Sequence, residues 1–275
     1  MAYVETIALG AKVDLEDRDA DRHHELTKES AAERFRELAD EIAELQELMF
    51  AAGNTALLIV FQGMDTAGKD GAINKIISYV NVQSCRVVNF KVPTSEEAAH
   101  DFLWRVHHHT PAKGGTTIFN RSHYEDVVVV RVHDLTPKST WSKRYGHINE
   151  FEKLLVDSNT IVLKFFLHIS RKEQEERLLA READPVKAWK LTVNDWKERK
   201  LWKKYEEAYE DALSKCSTDY APWHVVPANH KWFRDLAVAE AIAGALRPMK
   251  SEWEELLKTR GEAALKEIRA FRLGQ

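Results

Sequence analysis

Apolar residues along the chain follow two patterns, short continuous runs and stripes with a period of three to four residues. Five runs have the composition of strands that are buried on both faces. They are ALLIVF (56–61), RVVNFKV (86–92), GGTTIF (114–119), TIVLKFFLHI (160–169) and WHVVPA (223–228). Helical patterns separate the runs, and this alternation favours right-handed crossovers between strands. The pattern predicts an α/β fold with a parallel sheet and helices on both faces.

An amphipathic helix is predicted over residues 27–52, ahead of the first strand, and Gly53 follows it as a stop signal. Its apolar stripe consists of Phe35, Leu38, Ile42, Leu45 and Met49. The stripe packs on the parent domain in one interpretation. In the other it is a dimer seam, although the pattern lasts for only about two heptads. Residues 1–24 are polar and weakly patterned, which predicts an arm on the surface.

Two further helices are indicated by their start signals. Ser95, followed by two glutamates, is predicted to begin a helix that runs through DFLWRVHHH (101–109), and a closing helix begins near Trp232. His107, His108 and His109 are expected to be structural, because consecutive residues on a helix cannot converge on one metal ion.

The predicted division of the chain is one domain with additions at both ends. Residues 171–215 are too long and too charged for an ordinary crossover, so their first part is interpreted as a lid. The parts are an arm and helix packed on the core over 1–53, the α/β domain over 54–249 with its lid at about 171–200, and a C-terminal helix over 250–275.

Composition narrows the classes of partner. The 275 residues carry 40 Lys and Arg against 44 Asp and Glu, a net charge of −4, so nucleic acid is not the expected ligand. No stretch reaches ~18 apolar residues and no secretory signal is visible, so neither a membrane span nor export is expected. Cys85 and Cys216 are interpreted as inert thiols and not as a disulfide. The cytoplasm is the predicted location.

The segment GMDTAGKDG (63–71) has the spacing of a phosphate-binding loop between a strand and a helix. Glycines let the backbone curl so that several N–H groups point at one anion, and the helix N-terminus adds its positive end. Gly63, Gly68 and Lys69 match the pattern. Asp70 stands where Ser or Thr usually holds magnesium, so the loop departs from the pattern at one position.

Two carboxylates beside this loop, Asp65 and Asp70, would repel phosphate unless a cation intervened. A magnesium ion that bridges Asp65 and phosphate oxygens would turn the repulsion into attraction. Asp70 is in the first turn of the predicted helix, where a helix cap is the alternative interpretation.

A second group of polar residues follows the third predicted strand in IFNRSHYEDV (118–127). Parallel sheets bind ligands beyond the carboxyl ends of their strands, so Arg121 is expected to face the same crevice as Lys69. Asn120 occupies the place where an acidic residue usually organises magnesium, and Glu125 and Asp126 follow about a turn later.

A third group lies in ISRKEQEERLLARE (169–182), where Ser170 and Glu173 form a capping-box pattern that begins a helix. Arg177 and Arg181 are four residues apart and share a face. Such arginines suit a lid that closes over a transferring phosphoryl group, whereas a solvated face with surface ion pairs is the alternative.

With these groups in place, the chain resembles the family-2 polyphosphate kinases. The matching stretches are QGMDTAGKDG, HDFLWRVH, IFNRSHYEDVVVVRVH, KFFLHISRKEQEERLLAR and APWHVVPANHKWFR. The resemblance implies a P-loop kinase fold, similar to thymidylate kinase, with a helical lid. It also implies reversible, Mg²⁺-dependent phosphoryl transfer between inorganic polyphosphate and a nucleotide.

The resemblance also implies roles for individual residues. The expected catalytic residues are Asp65, Lys69, Arg121, Arg177 and Arg181. Phosphate or nucleotide binding is expected of Gly63, Met64, Thr66, Ala67, Gly68, Lys69, Asp70, Asn120 and Arg121. Several family members carry Asp where this chain has Asn120, so metal ligation is expected of Asp65, Glu125 and Asp126.

The expected substrates are inorganic polyphosphate and nucleoside mono-, di- and triphosphates, because the Asn-Arg form resembles the subgroup that acts on both mono- and diphosphates. A homodimer or homotetramer is expected. Two other functions stay open: an ATP-dependent nucleoside-phosphate kinase, and a non-catalytic regulator that binds nucleotide or polyphosphate. Asp70 counts against the first, and the paired arginines, Arg177 and Arg181, count against the second.

Overall fold

The computed structural model describes residues 3–186, 189 and 192–274. Over these residues the strands are β1 (Glu5–Thr6), β2 (Ala56–Gln62), β3 (Cys85–Asn89), β4 (Thr116–Asn120), β5 (Thr160–His168) and β6 (Trp223–Pro227). They form one sheet in the order β1-β6-β5-β2-β4-β3. β1 is antiparallel to β6, and the other neighbours are parallel. The predicted α/β class with a parallel sheet is confirmed.

Helices connect the strands and cover the sheet. They are α1 (Lys28–Ala52), α2 (Lys69–Ile77), α3 (Ser95–Ala98), α4 (Trp104–His107), α5 (Val129–Val132), α6 (Lys138–Asp157), α7 (Arg171–Glu182), α8 (Val193–Lys200), α9 (Trp202–Lys215), α10 (Lys231–Leu246) and α11 (Lys250–Leu273). Within the described ranges, none of them is both long and apolar enough to cross a bilayer.

The central position of β2 determines where a ligand can bind. All seven residues of β2 are buried, and the strand pairs with β5 on one side and β4 on the other. The phosphate-loop segment leaves the carboxyl end of β2, next to the segments that leave the carboxyl ends of β4 and β5. A crevice at this edge is the usual ligand site of a parallel sheet.

The five predicted strands are present with boundaries shifted by a few residues, but the N-terminal arm is not simply a surface segment. Glu5 and Thr6 add a sixth strand, and four apolar side chains of the arm are buried: Ile7, Val13, Leu15 and Ala20. These residues are too widely spaced to give a periodic signal, which is why the sequence pattern did not indicate them.

The apolar stripe of α1 packs inside the protein. Its five predicted members are buried, and α1 packs against α10 and α11. Thr27 caps the helix by accepting a hydrogen bond from the backbone N–H of Ser30, and Gly53 ends it with φ of 64°. The stripe therefore belongs to the core, and a dimer seam built from it is ruled out.

The single helix predicted from Ser95 to residue 109 is wrong, because the segment forms the two short helices α3 and α4. The predicted start is confirmed, since α3 begins at Ser95, and Thr94 caps it through a hydroxyl that accepts from the N–H of Glu97. In the part of the chain that the structure describes, no three His, Cys, Asp or Glu side chains are arranged to hold a metal, the histidines after Trp104 included.

A fully buried polar network braces the segment after β4. Lys164 on β5 and Glu152 on α6 form an ion pair with 2.6 Å between Nζ and Oε2, and both side chains are 0% exposed. Tyr124 donates to Glu152 at 2.8 Å, and the His123 ring lies 3.2 Å from the same carboxylate. The network thus fixes two residues of the SHYED segment (122–126).

We expect removal of one partner of this pair to be strongly destabilising. Lys164→Met would leave the Glu152 carboxylate buried without its cation, which costs about 3–5 kcal/mol in the free energy of unfolding. Urea unfolding would measure the change. The double variant that adds Glu152→Gln should recover most of it, and a loss below about 1 kcal/mol for Lys164→Met would contradict this account.

Candidate active site

The carbonyl groups in the first half of the phosphate loop accept hydrogen bonds from side chains. The Lys69 amine donates to the carbonyl oxygens of Gly63 and Met64 at 2.7 and 3.2 Å. The side-chain amide of Gln174, on α7, donates to the carbonyl oxygen of Asp65 at 3.0 Å. Three consecutive peptide groups are therefore oriented by side chains.

The second half of the loop is held by two arginines from other helices. Arg177 on α7 donates through Nη1 to the carbonyl oxygens of Thr66 and Ala67, at 2.9 and 3.0 Å. Arg234 on α10 donates through Nη1 to the carbonyl oxygen of Gly68 at 3.1 Å. With the carbonyl groups satisfied on this side, the loop and the start of α2 can direct N–H groups at an anion.

Two glycines of the loop occupy positions that a side chain would disturb. Gly63 has φ of 149°, and a Cβ atom there would lie 2.7 Å from the carbonyl oxygen of Leu167. Gly68 has φ of 99° and is the N-cap of α2, which has no side-chain cap. The amide groups at the start of α2 are thus left to a ligand or to water.

A cavity of about 900 Å³ opens at this edge of the sheet. Its basic lining residues are Lys69, Arg121, Arg177, Arg181, Lys231 and Arg234, and its acidic ones are Asp65, Asp70 and Asp195. Thr66, Gly68, Gly71, Asn74, Asn120, Ala180 and Trp189 complete the lining. The hydroxyl oxygen of Thr66 is buried without a hydrogen-bond partner among the described residues. The cavity therefore has the charge and the open donors that suit a polyanion.

Lys69 is almost fully buried beneath the cavity. Burial lowers the pKa of its amine to about 8, and the nearby Arg121 lowers it further, while the carboxylates of Asp65, Glu125 and Asp70 act in the opposite direction. The amine is thus charged at neutral pH but close to its titration range. A bound anion would favour the charged form.

Arg121 connects two carboxylates of the site. Its guanidinium lies 2.9 Å from Oδ1 of Asp65 and 3.3 Å from Oε2 of Glu125. Burial alone would lower the pKa of Arg121, but Glu125 and Asp65 outweigh it and raise that pKa. Its backbone has φ of 62°, a left-handed conformation that is uncommon outside glycine and is often found at functional sites. Arg121 faces the same crevice as Lys69, as the sequence predicted.

Asn120 and Asp70 contact each other. The Asn120 amide donates to Oδ1 of Asp70 at 2.7 Å and to Oδ1 of Asn89 at 2.8 Å. Asp70 is not the cap of α2, because the N-cap residue is Gly68 and no side chain caps that end. Both side chains line the cavity.

Asp126 points away from the cavity. Its Oδ1 accepts from Arg144 at 3.1 Å, and its Oδ2 lies 3.7 Å from Arg105. Burial raises the pKa of Asp126, although both arginines oppose this. The geometry therefore does not support the expected metal role of Asp126, since its carboxylate faces Arg144 and Arg105. Glu125, in contrast, lines a small cavity of about 30 Å³ together with Asp65 and Arg121.

Arg177 occupies a different place from the one expected of a lid residue. Besides its bonds to the loop, its Nη2 donates to the carbonyl oxygens of Ala228 and Asn229, and its Nε donates to Glu173 at 2.6 Å. All five N–H groups of the guanidinium are thus used. Helix α7 therefore supports the loop through Arg177, while Arg181, one turn further on, lines the cavity.

Comparison with known proteins identifies the family to which this site belongs. Residues 25–254 match the model of the polyphosphate kinase 2 family. An AMP/ADP-polyphosphate phosphotransferase of Meiothermus ruber is 47% identical over 228 residues, which are 83% of this chain and 85% of the relative. The chain belongs to the polyphosphate kinase 2 family. An ADP-polyphosphate phosphotransferase of Rhodopseudomonas palustris is 40% identical over 251 residues, with 87% of both chains covered.

The fold agrees with that of a solved polyphosphate kinase 2. The crystal structure of polyphosphate kinase 2 from Arthrobacter aurescens TC1 has a TM-score of 0.85 and 38% identity, and the match covers 91% of this chain and 93% of that one. The predicted family, the enzyme class and the P-loop kinase fold are confirmed.

Several lining residues were not singled out from the sequence. Lys231 and Arg234 follow β6 directly, and the rule that ligands bind beyond the carboxyl ends of strands could have indicated them. Gln174 and Tyr209 gave no such signal. The Tyr209 hydroxyl lies 3.3 Å from the carbonyl oxygen of Gly63, a contact between segments that are 146 residues apart.

Binding of a polyanion should be linked to protonation of Lys69. Its pKa is about 8 in the free protein, and a bound anion raises it. Binding therefore takes up a proton above about pH 8, and affinity falls as pH rises through that range, whereas well below it the amine is already charged.

Calorimetric titration with tripolyphosphate at about pH 9, in two buffers with different ionisation enthalpies, would measure this uptake. Tripolyphosphate also changes its own protonation in this range, so the same calorimetric experiment on Lys69→Met is the control. The difference in proton uptake between the two proteins is due to Lys69. Equal proton uptake by the two proteins would contradict the linkage.

Proposed function

We propose that the protein transfers a phosphoryl group reversibly from inorganic polyphosphate to a nucleoside di- or monophosphate, ADP or AMP and GDP or GMP, with Mg²⁺. The observation that carries the proposal is the cavity whose wall has six basic side chains beside a phosphate loop. Every unit of polyphosphate presents the same oxygens, so such a wall can bind any stretch of the chain. The activities named for the Meiothermus and Rhodopseudomonas relatives support ADP and AMP as acceptors.

In the proposed reaction, a terminal phosphate oxygen of the acceptor attacks the end phosphorus of polyphosphate. A P–O bond to the acceptor forms, the phosphoanhydride bond to the next unit breaks, and polyphosphate leaves one unit shorter. Negative charge on the transferring group and on the leaving oxygen has to be stabilised by positive groups that are already in place.

The residues divide this work according to their positions. Lys69 and the N-terminus of α2 are suited to phosphate oxygens near the loop, and Arg121, which directly follows β4, to oxygens elsewhere in the cavity. Arg181 lines the cavity from α7, and its planar guanidinium can bind two phosphate oxygens at once. Arg177 supports the loop by holding its carbonyl groups.

The side chains in the cavity fit a magnesium ion that is bound together with substrate. Asp65, Asp70 and Asn120 supply oxygen atoms, which are the ligands that Mg²⁺ prefers. Mg²⁺ usually takes only one or two carboxylates and completes its shell with water and phosphate oxygens, so a preformed cluster is not required. When bound, it would neutralise charge on the phosphate oxygens. We propose Asp65 as the main protein ligand and Glu125 as a residue that orients it through Arg121.

Location and assembly belong to the proposal as well. Both cysteines are free thiols, and burial raises the pKa of Cys85 to about 11 and that of Cys216 to about 12, which fits inert thiols in the reducing cytoplasm. A homodimer or homotetramer is retained as a proposal. Because the stripe of α1 is buried, such an assembly would use another surface.

The test of the function is turnover with polyphosphate as the sole phosphoryl donor. Purified protein with magnesium should convert ADP to ATP and AMP to ADP. Lys69→Ala should lose at least about two orders of magnitude in kcat, because a positive group at the transferring phosphoryl is removed. Turnover with ATP but not with polyphosphate would favour an ordinary nucleoside-phosphate kinase. Binding without turnover would favour a regulator.

Asp65→Asn should raise the magnesium concentration needed for half-maximal rate and lower kcat by about two orders of magnitude, since a charged ligand is lost. Glu125→Gln should show a smaller loss, of about tenfold, because it acts through Arg121.

Asp126→Asn is the control for these two variants, because its carboxylate contacts Arg144 and Arg105 outside the cavity. It should lower thermal stability without changing the magnesium dependence. Wild-type magnesium dependence in Asp65→Asn would overturn the assignment of the ligand.

A further inference from the structure

Arg234 combines deep burial with a contact to the phosphate loop. It lies in the first turn of α10 and is 3% exposed. Its Nε and Nη2 donate to Oδ1 of Asp235 at 2.9 and 2.6 Å, and its Nη1 donates to the carbonyl oxygen of Gly68 at 3.1 Å. The guanidinium is thus fixed between α10 and Gly68, the N-cap residue of α2.

Two glycines leave the space that this guanidinium fills. A Cβ atom on Gly68 would collide with Nη1 of Arg234. A Cβ atom on Gly71, inside the first turn of α2, would lie 3.3 Å from Nη2 and 3.5 Å from Nη1. Glycine within a helix is normally unfavourable relative to alanine, so the backbone of α2 gives no reason for Gly71. The packing of Arg234 does.

The location is electrostatically unfavourable for a cation when the cavity holds no anion. The N-terminus of α2 is the positive end of a helix dipole, and the Nη1 atoms of Arg234 and Arg177 both lie within 4 Å of the position that a Cβ atom on Gly68 would take. Asp235 is the carboxylate that accepts hydrogen bonds from Arg234. A polyanion in the cavity would offset this excess of positive charge, which links Arg234 to the occupied site.

We propose that Arg234 is a positioning residue for phosphoryl transfer, which acts through Gly68. By fixing the carbonyl of Gly68, it orients the peptide that joins Gly68 to Lys69, and with it the first amide groups of α2. Those amides and the Lys69 amine would otherwise reach the phosphate oxygens in a less favourable geometry. The inference rests on the proposed function, since it gives a specific part to one of the six basic side chains of the cavity wall.

Loss of positioning should affect the chemical step more than substrate binding, because misplaced donors stabilise the transition state less. In Arg234→Lys, one ammonium replaces the planar fork that joins Asp235 to Gly68. We expect kcat with polyphosphate and ADP to fall by about ten- to a hundredfold, with KM within about threefold of wild type.

Chemical rescue separates positioning from a general loss of structure. Arg234→Ala leaves a space of the shape of the lost group, and added guanidinium ion at millimolar concentration should restore part of kcat. Wild type and Lys69→Ala in the same salt are the controls, and neither should gain activity. If Arg234 had a merely structural role, guanidinium ion would not restore kcat at concentrations of the ion that leave the melting temperature unchanged.

Gly71→Ala tests the inference without altering Arg234. The new methyl group would press on a guanidinium that is fixed on both sides, while alanine favours the helix, so kcat should fall several-fold with no loss of melting temperature. Gly146→Ala on α6 is the matched control, because a Cβ atom there meets nothing within 4 Å. It should keep wild-type kinetics.

The outcomes separate this inference from the proposed function. If wild type uses polyphosphate, but Gly71→Ala and Arg234→Lys keep its kcat, the inference is overturned and the function stands. If Arg234→Ala loses melting temperature, kcat and 1/KM in parallel, and guanidinium ion does not restore kcat, the inference is also overturned. If wild type does not use polyphosphate at all, the proposed function itself fails.

Discussion

A phosphate loop depends on satisfying the carbonyl groups that it turns away from the ligand. Peptide groups that direct N–H donors at an anion direct their carbonyl oxygens towards the protein interior, where each needs a donor. Here side chains donate to all six carbonyl oxygens from Gly63 to Gly68. The donors come from α2, α7 and α10, and the sheet order β6-β5-β2 explains this, since α10 and α7 follow the two strands on that side of β2.

The same arrangement explains why the cavity is so basic. Arg177 and Arg234 are needed for their hydrogen bonds, but their charges remain next to Lys69 and the N-terminus of α2. In a low-dielectric wall these charges raise each other's free energy. Burial, and after it the charge of Arg121 in the same wall, lowers the pKa of Lys69 to about 8. A polyanion relieves the crowding when it binds. The support of the loop and the affinity for phosphate are therefore two results of one set of residues.

Sequence reasoning succeeded where the signal is local and failed where it depends on packing between distant segments. The strand, glycine loop and helix around Lys69 are contiguous, and Arg121 follows a strand whose carboxyl end must meet the loop. Arg177, by contrast, was expected on a lid because its helical face was known but the neighbours of that face were not. Asp126 was expected in the cavity for the same reason. In the structure, one turn of 3₁₀ helix over His123–Asp126 directs its carboxylate at Arg144. Sequence spacing does not specify such directions.

The two departures of this chain from the expected motifs are in contact with each other. Asp70 replaces the usual Ser or Thr, Asn120 stands where an acidic residue was expected, and 2.7 Å separates the Asn120 amide nitrogen from Asp70 Oδ1. A carboxylate at position 120 would face another carboxylate at that distance, and the pair would bind a proton or require a cation. The amide removes this repulsion and donates a hydrogen bond instead. Each departure, taken alone, weakens the match to the motif, but together the two residues form a hydrogen bond between the end of β4 and the first turn of α2.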